Sequence, residues 1–278
     1  MRALKLGLIG VGIEKSRAPE LHRLAGKLSG IEVSYDLLSL NSAEPEIFRN
    51  ALSECAAEGY SGVNITYPFK EQAAKIISIP SGQVQKLAAI NTVRFNENND
   101  AEGFNTDFSG FKRAYRSRFP KQSPGKVAII GTGGVGRAIA FGLIDLGAEE
   151  LRLFDQERRR SEELAIRLRN HTDSEIQLCT KVEDALTGVG GLVNATPIGM
   201  HHHPGTAIPK KLIGQQHWAF DAVYTPLETR FLLDAKELGL EILSGYELFF
   251  FQGIDAFEIF SGIHVDEAPL RKSLAEQA

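Results

Sequence analysis

Short β-rich apolar runs alternate with helical stretches along the chain. Residues 4–9, 33–38 and 62–66 read as strands. A helix is expected from about Pro19, with proline in a first-turn position and Gly30 as its stop. Further helices are expected over residues 45–58, ending near Gly59, and over 71–77. Runs 89–95 and 101–104 flank the turn-forming stretch 96–100. After a polar stretch, 116–126, which holds Pro120 and Pro124, a fresh βαβ pattern begins. Its strands are expected at 126–130, 151–155, 175–179, 191–194, 218–223 and 240–243, and an apolar helix at 245–263. Strands separated by helices predict an α/β protein with mostly parallel sheets. The pattern restarts between Asn105 and Lys126, which predicts two α/β lobes.

Composition narrows the class. With 278 residues there is room for one large or two ordinary domains, and 43% hydrophobic residues is ordinary for a globular protein. The formal charge of -4, with no basic tail or stripe, argues against nucleic acid as a partner. Cys55 and Cys179 lie far apart and form neither a disulfide framework nor a zinc signature. The apolar N-terminus is interrupted by Lys5 and followed at once by Glu14, Lys15 and Arg17, so it reads as a buried strand rather than a signal peptide. No stretch approaches the length of a membrane span, and a cytoplasmic location is the expectation. His201, His202 and His203 invite a metal reading. Three successive histidines do not easily face one ion, and no partner stands at ligand spacing, so a solvated loop is expected and no metal.

The chemistry is concentrated in Gly131-Thr132-Gly133-Gly134-Val135-Gly136. This GxGxxG follows an expected strand and opens an expected helix, the context that gives the motif its meaning. Gly131 permits the tight turn, Gly133 the approach of a pyrophosphate, and Gly136 close helix–strand packing; Gly134 completes the loop. The helix N-terminus then offers free N–H groups to the phosphates. Asp155 ends the next strand, at about the 20-residue offset expected for a ribose-binding carboxylate. It favours NAD over NADP. Arg158, Arg159 and Arg160 complicate that choice, because an arginine holds a 2′-phosphate well, so NADP stays open. Gly10-Val11-Gly12 also follows a strand, but Lys15 stands where a third glycine belongs. Ser16, beside the helix start there, suits a carboxylate or another anion, or is a plain cap.

Several separated motifs together resemble the shikimate/quinate dehydrogenases over nearly the whole length. They are residues 10–19 with Ser16, Asn64-Ile65-Thr66-Tyr67-Pro68-Phe69-Lys70, Asn91-Thr92-Val93 and Gly103-Phe104-Asn105-Thr106-Asp107. The series continues with the glycine motif, Asn194-Ala195-Thr196-Pro197-Ile198-Gly199-Met200, Asp221-Ala222-Val223-Tyr224-Thr225-Pro226, and Gly245 with Gln252. The resemblance implies a substrate-binding and catalytic lobe made of residues 1–107 and 245–278. A Rossmann-type, doubly wound dinucleotide lobe of residues 108–244 is inserted in it, with a cleft between the two. It implies hydride exchange between NAD(P) and a small polyhydroxy carboxylate, shikimate or quinate. Lys70 and Asp107 match the catalytic pair and are read as one proton-sharing unit. Ser16 and Tyr224 match positions that hold the substrate carboxylate. Asn64, Thr66, Asn91 and Gln252 match groups that hold ring hydroxyls. Thr196, Met200, Val223 and Gly245 match positions near the nicotinamide, and Arg160 is kept as a cofactor contact.

Departures from the pattern bear on the substrate. Ala18 replaces a second hydroxyl residue, with Lys15 and Arg17 as flanking cations. Asp155-Gln156-Glu157 replaces a stretch with a phosphate-binding arginine, which supports NAD. Leu248 replaces a methionine and is followed by Phe249, a candidate to narrow the cleft, and by Phe250 and Phe251, which read as core. Two other functions stay open: the same fold and cofactor acting on an amino-substituted or other shikimate-like compound, and a protein that binds NAD without turnover.

Overall fold

A computed structural model describes residues 3–80 and 82–276. The chain divides into two compact units, residues 3–106 with those from Gln252 onward, and Asp107–Phe251.

In the first unit the elements run β1 (Ala3–Gly10), α1 (Ala18–Ser29), β2 (Glu32–Ser39), α2 (Pro45–Ala57), β3 (Gly62–Ile65), α3 (Lys70–Ile76), α4 (Gly82–Leu87), β4 (Thr92–Phe95) and β5 (Ala101–Phe104). They form a five-stranded sheet of order β2-β1-β3-β4-β5. The β1–β2 and β1–β3 pairs are parallel, while β3–β4 and β4–β5 are antiparallel. Successive side chains of a strand point to opposite faces. In β3, Val63 and Ile65 therefore enter the core with Phe48 and Phe69, whose rings stack at 4.9 Å. Asn64 is left on the other face, in register with Thr92.

The second unit contains α5 (Thr106–Arg118, whose first residue belongs to the first unit), β6 (Lys126–Ile130), α6 (Gly134–Asp145), β7 (Glu150–Phe154), α7 (Arg158–Arg169), β8 (Glu175–Leu178), α8 (Val182–Leu186), β9 (Gly191–Asn194), β10 (Trp218–Asp221), α9 (Arg230–Glu237), β11 (Glu241–Ser244) and α10 (Gly245–Ser261). Its sheet is wholly parallel, in the order β11-β10-β9-β6-β7-β8. This is the doubly wound order, and the direction of winding reverses between β6 and β9. Ligands of such sheets bind in the crevice at the carboxyl ends of those two strands. The unit boundary falls within α10, and α11 (Glu267–Ala275) returns the chain to the first unit, where it packs on α1.

The expected strands and helices recur here with shifts of a residue or two. The run 89–95 is strand only from Thr92; ahead of it, the side chain of Asn91 holds the start of α5, its Oδ1 accepting the Thr106 N–H. Five α-helices are not expected from the sequence pattern: α4, α5, α8, α9 and α11. Helix α5 occupies ground that reads as a lobe boundary. Its buried apolar side chains are mainly aromatics, Phe108, Phe111 and Tyr115, set among charged residues.

Candidate active site

The loop between β6 and α6 is shaped by close backbone approaches. Gly131 has φ +96°, and a Cβ there would lie 2.8 Å from the Thr196 methyl and 2.9 Å from the Ala195 carbonyl. A Cβ on Gly136 would collide with the carbonyl oxygen of Gly131. Both positions therefore require glycine. Gly133 differs: only an Arg160 Nη1, at 3.7 Å, lies near where its Cβ would be. The loop backbone is thus left open at the N-terminus of α6, the place where a pyrophosphate meets free N–H groups.

Asp155 is bound into this loop. Its Oδ2 accepts hydrogen bonds from the Thr132 N–H at 2.7 Å and the Thr132 hydroxyl at 2.9 Å, and its Oδ1 accepts from the Glu157 N–H at 2.9 Å. The three arginines separate. Arg158 and Arg159 are exposed on α7 and pair with Glu162 and with Glu157 and Glu163. Arg160 lies beside Gly133 and donates to Glu157 at 2.6 Å. This corner therefore carries two carboxylates, those of Asp155 and Glu157, with the Arg160 guanidinium paired to the second.

The loop after β9 is organised by two buried polar residues. Asp221 accepts hydrogen bonds from the Asn194 amide (2.9 Å), the Val223 N–H (3.0 Å) and the Thr229 hydroxyl (2.6 Å). Asn194 also donates to the Ile198 carbonyl, and its own carbonyl accepts from both the N–H and the hydroxyl of Thr196. Thr196 and Val223, both expected near the nicotinamide, are thereby held to one anchor. Gly245 is pressed against the same segment: a Cβ would lie 2.6 to 2.7 Å from the carbonyl oxygens of Asp221, Ala222 and Val223. Met200 is exposed.

Burial pushes the Asp221 carboxyl up to about 6, and the hydrogen bonds from Thr229, Val223 and Asn194 offset this only in part. The folded protein therefore holds this proton more tightly than the unfolded chain. The associated stability is present below about pH 4 and is lost as pH rises from about 4 to 6. Relative to Asp221→Asn, the wild type is expected to lose about 3 kcal/mol across that window, because each tenfold difference in proton affinity is worth about 1.36 kcal/mol. Urea denaturation of both proteins at several pH values checks this; parallel pH profiles would contradict it.

In the first unit, Asn64, Asn91, Thr92 and Thr106 form a buried cluster. Asn64 Nδ2 donates to Thr92 Oγ1 at 3.1 Å, and Asn91 Nδ2 donates to Thr106 Oγ1 at 2.9 Å. Asn91 Oδ1 accepts the Thr106 N–H at 2.7 Å, tying the cluster to the start of α5, where Asp107 is the next residue. Thr66 and Lys70 follow β3. The Thr66 N–H donates to the Ile9 carbonyl, its own carbonyl accepts the Phe69 N–H, and Lys70 opens α3. Ser16 Oγ accepts the Ala18 N–H at 3.3 Å at the entrance to α1. Arg17, expected as a compensating cation, binds Glu20 at 2.8 Å and the Leu274 carbonyl at 3.2 Å, so its guanidinium braces α1 against α11. Gln252 is half-buried on α10.

In the second unit, Tyr224 stacks on Phe249 with ring centroids 4.8 Å apart. Phe249 is thus a platform for the tyrosine, and Phe250 and Phe251 are buried beside it. His201, His202 and His203 are exposed in a turn. Among the described residues, no three His, Cys, Asp or Glu side chains gather as a metal site would require.

A family profile described as the shikimate dehydrogenase substrate binding domain matches residues 8–93. The chain is 34% identical to the quinate/shikimate dehydrogenase (NAD(+)) of Corynebacterium glutamicum strain R over 276 residues, covering 98% of each chain. It belongs to the shikimate/quinate dehydrogenase family. It is also 34% identical to the shikimate dehydrogenase (NADP(+)) of Streptomyces avermitilis, covering 98% of this chain and 95% of that one. The structure of quinate dehydrogenase from Corynebacterium glutamicum in complex with NAD superposes with a TM-score of 0.89 at 33% identity, covering 99% of this chain and 100% of that one.

As a member of the shikimate/quinate dehydrogenase family, the chain is an NAD(P)-dependent oxidoreductase with a Rossmann-type parallel sheet. Among the described residues, no helix is long and apolar enough to cross a membrane. Sequence reasoning misses Thr132, Asn194, Asp221 and Tyr35, each of which holds a candidate site residue rather than being one. Asn194 and Asp221 stand in motifs whose neighbours carry the signal. Tyr35 carries none, since one tyrosine in a strand is ordinary core.

Proposed function

We propose that this protein is an NAD-linked quinate/shikimate dehydrogenase. It would interconvert shikimate with 3-dehydroshikimate, quinate with 3-dehydroquinate, or both. The observation that carries the cofactor choice is the carboxylate of Asp155 fixed on the glycine loop, with Glu157 beside it. The first unit, which includes Gln252, supplies most of the substrate-binding and catalytic groups, and the second holds the dinucleotide and supplies Asp107 and Tyr224. Gly131, Gly133, Gly134 and Gly136 take the pyrophosphate, with Arg160 alongside. Asp155 takes the ribose hydroxyls. Thr196, Met200, Val223 and Gly245 line the nicotinamide position. When bound, the nicotinamide supplies the hydride acceptor for alcohol oxidation. Ser16 and Tyr224 hold the substrate carboxylate, and Asn64, Thr66, Asn91 and Gln252 hold ring hydroxyls. Lys70, paired with Asp107, receives the hydroxyl proton as the hydride leaves and returns it in the reverse direction. Groups that hydrogen-bond hydroxyls discriminate strongly against analogues that lack them, because an unmatched buried polar group is costly.

Initial rates with each pairing of NAD or NADP with shikimate or quinate test this reading. Turnover of either acid with NAD preferred over NADP is expected. Dinucleotide binding without turnover of either acid would instead favour a different ring substrate, in line with Ala18, or a protein without dehydrogenase activity. Asp155→Asn is expected to narrow the NAD-over-NADP preference in kcat/KM at least tenfold, since it removes one like charge from the 2′-phosphate and weakens the ribose contact. An unchanged preference would remove Asp155 from cofactor selection.

A further inference from the structure

We infer that Tyr35 and Thr92 are positioning residues that set the orientation of the Asn64 carboxamide for the ring substrate. The inference rests on the reading of Asn64 as a substrate-binding group. A carboxamide has two chemically different ends, and which end faces a hydroxyl decides whether it donates or accepts. Asn64 has its orientation imposed from three sides. Its Nδ2 lies 3.1 Å from Thr92 Oγ1 and 3.4 Å from the backbone carbonyl of Asn91. A carbonyl accepts only, so the NH2 group must face that side. Its Oδ1 accepts the Tyr35 hydroxyl proton at 2.9 Å. Turning the amide over would set its oxygen against the Asn91 carbonyl.

The anchors are themselves fixed. Thr92 is fully buried, sits in register with Asn64 across the β3–β4 pair, and passes its own proton to Asn91 Oδ1 at 3.1 Å. Tyr35 is 2% exposed, and its ring stacks on that of His22 at 4.9 Å. His22 is buried beside Phe257 and Phe260. Burial pushes its imidazole down to about 3, with the Asn64 side chain pulling the other way. The stacking partner of Tyr35 is therefore uncharged throughout the neutral range. Asn64 and Asn91, the two proposed hydroxyl-binding amides, are joined through the Thr92 hydroxyl into one buried network, which also takes in the Thr106 hydroxyl at 3.1 Å from Thr92 Oγ1.

Steady-state kinetics with shikimate and quinate test the inference in Tyr35→Phe, Thr92→Val, Thr92→Ser, Asn64→Ala and the double variant Tyr35→Phe/Asn64→Ala. Tyr35→Phe and Thr92→Val are each expected to raise KM for the ring acid about tenfold, the equivalent of one hydrogen bond. KM for NAD should stay unchanged, and Thr92→Ser should recover most of the loss. Tyr35→Phe should have no further effect once Asn64 is alanine, which is the mark of a role exercised through Asn64. Melting curves identify any variant that fails to fold; if Tyr35→Phe does, the Thr92→Val and Thr92→Ser pair decides. Equal effects of Tyr35→Phe with and without Asn64, or parallel rises in both KM values, would overturn the positioning role. A large effect of Asn64→Ala with none from Tyr35→Phe or Thr92→Val would overturn it while leaving Asn64 as a binding group. An unchanged KM for the acid in Asn64→Ala would overturn the binding reading of Asn64 and the positioning role with it.

Discussion

Lys70→Ala is expected to lower kcat for the ring acids about a thousandfold while leaving the Kd for NAD unchanged. The two halves of this expectation have separate grounds. Lys70 opens α3 in the first unit, while the glycine loop, Asp155, Thr196 and Val223 all lie in the second. The kinetic loss follows from chemistry. The alcohol must lose its hydroxyl proton as the hydride departs, and a positioned proton acceptor contributes about a hundredfold to ten-thousandfold. Lys70→Arg should not restore activity, because a guanidinium keeps its proton under all working conditions. Stopped-flow measurement of nicotinamide reduction alongside calorimetric titration of NAD checks both halves. A loss below about tenfold would remove Lys70 from proton transfer, and a large change in Kd for NAD would show that the substitution disturbed more than the base.

The second large effect concerns the dinucleotide. Gly136→Ala places a methyl group where the Gly131 carbonyl oxygen already lies, and neither atom belongs to a flexible side chain. The loop must move off α6 for the variant to fold, which pulls the open face of Gly133 away from the helix N-terminus. At least a hundredfold weaker binding of NAD is expected by calorimetry, with the first unit unaffected. Gly133→Ala serves as the comparison: its new methyl meets only the end of Arg160, so any loss of affinity there reports obstruction of the pyrophosphate and not loop displacement. Unchanged NAD affinity in Gly136→Ala would mean that the pyrophosphate does not rest on this loop.

Much of the fold can be read from the pattern of residues because parallel strands buried on both faces leave a plain mark. Residues 126–130 and 191–194 are nearly continuous apolar runs, and both are core strands of the second sheet. Helices that carry their buried face on scattered aromatics leave less of one. In α5, Phe108, Phe111 and Tyr115 alternate with Lys112, Arg113 and Arg116, so the segment reads as a polar boundary until its partners, such as Phe220 and Trp218, are known. The glycine motif is legible because its geometry excludes other residues. The supports of the candidate site are not. What Asn64 touches depends on which strand lies opposite β3 and on the burial of Tyr35, two strands away, and both are tertiary facts. Likewise, Arg160 differs from Arg158 and Arg159 only in the direction it takes from α7.

The most direct test follows the hydride itself. Shikimate and quinate carrying deuterium on the carbon whose hydroxyl is oxidised would be incubated with the protein and NAD, and the reduced nicotinamide analysed by mass spectrometry. The expected result, with at least one of the two acids, is one deuterium in each reduced nicotinamide and formation of the matching keto acid. Reduced nicotinamide without deuterium, or none formed from either acid although NAD binds, would contradict the assignment as a quinate/shikimate dehydrogenase.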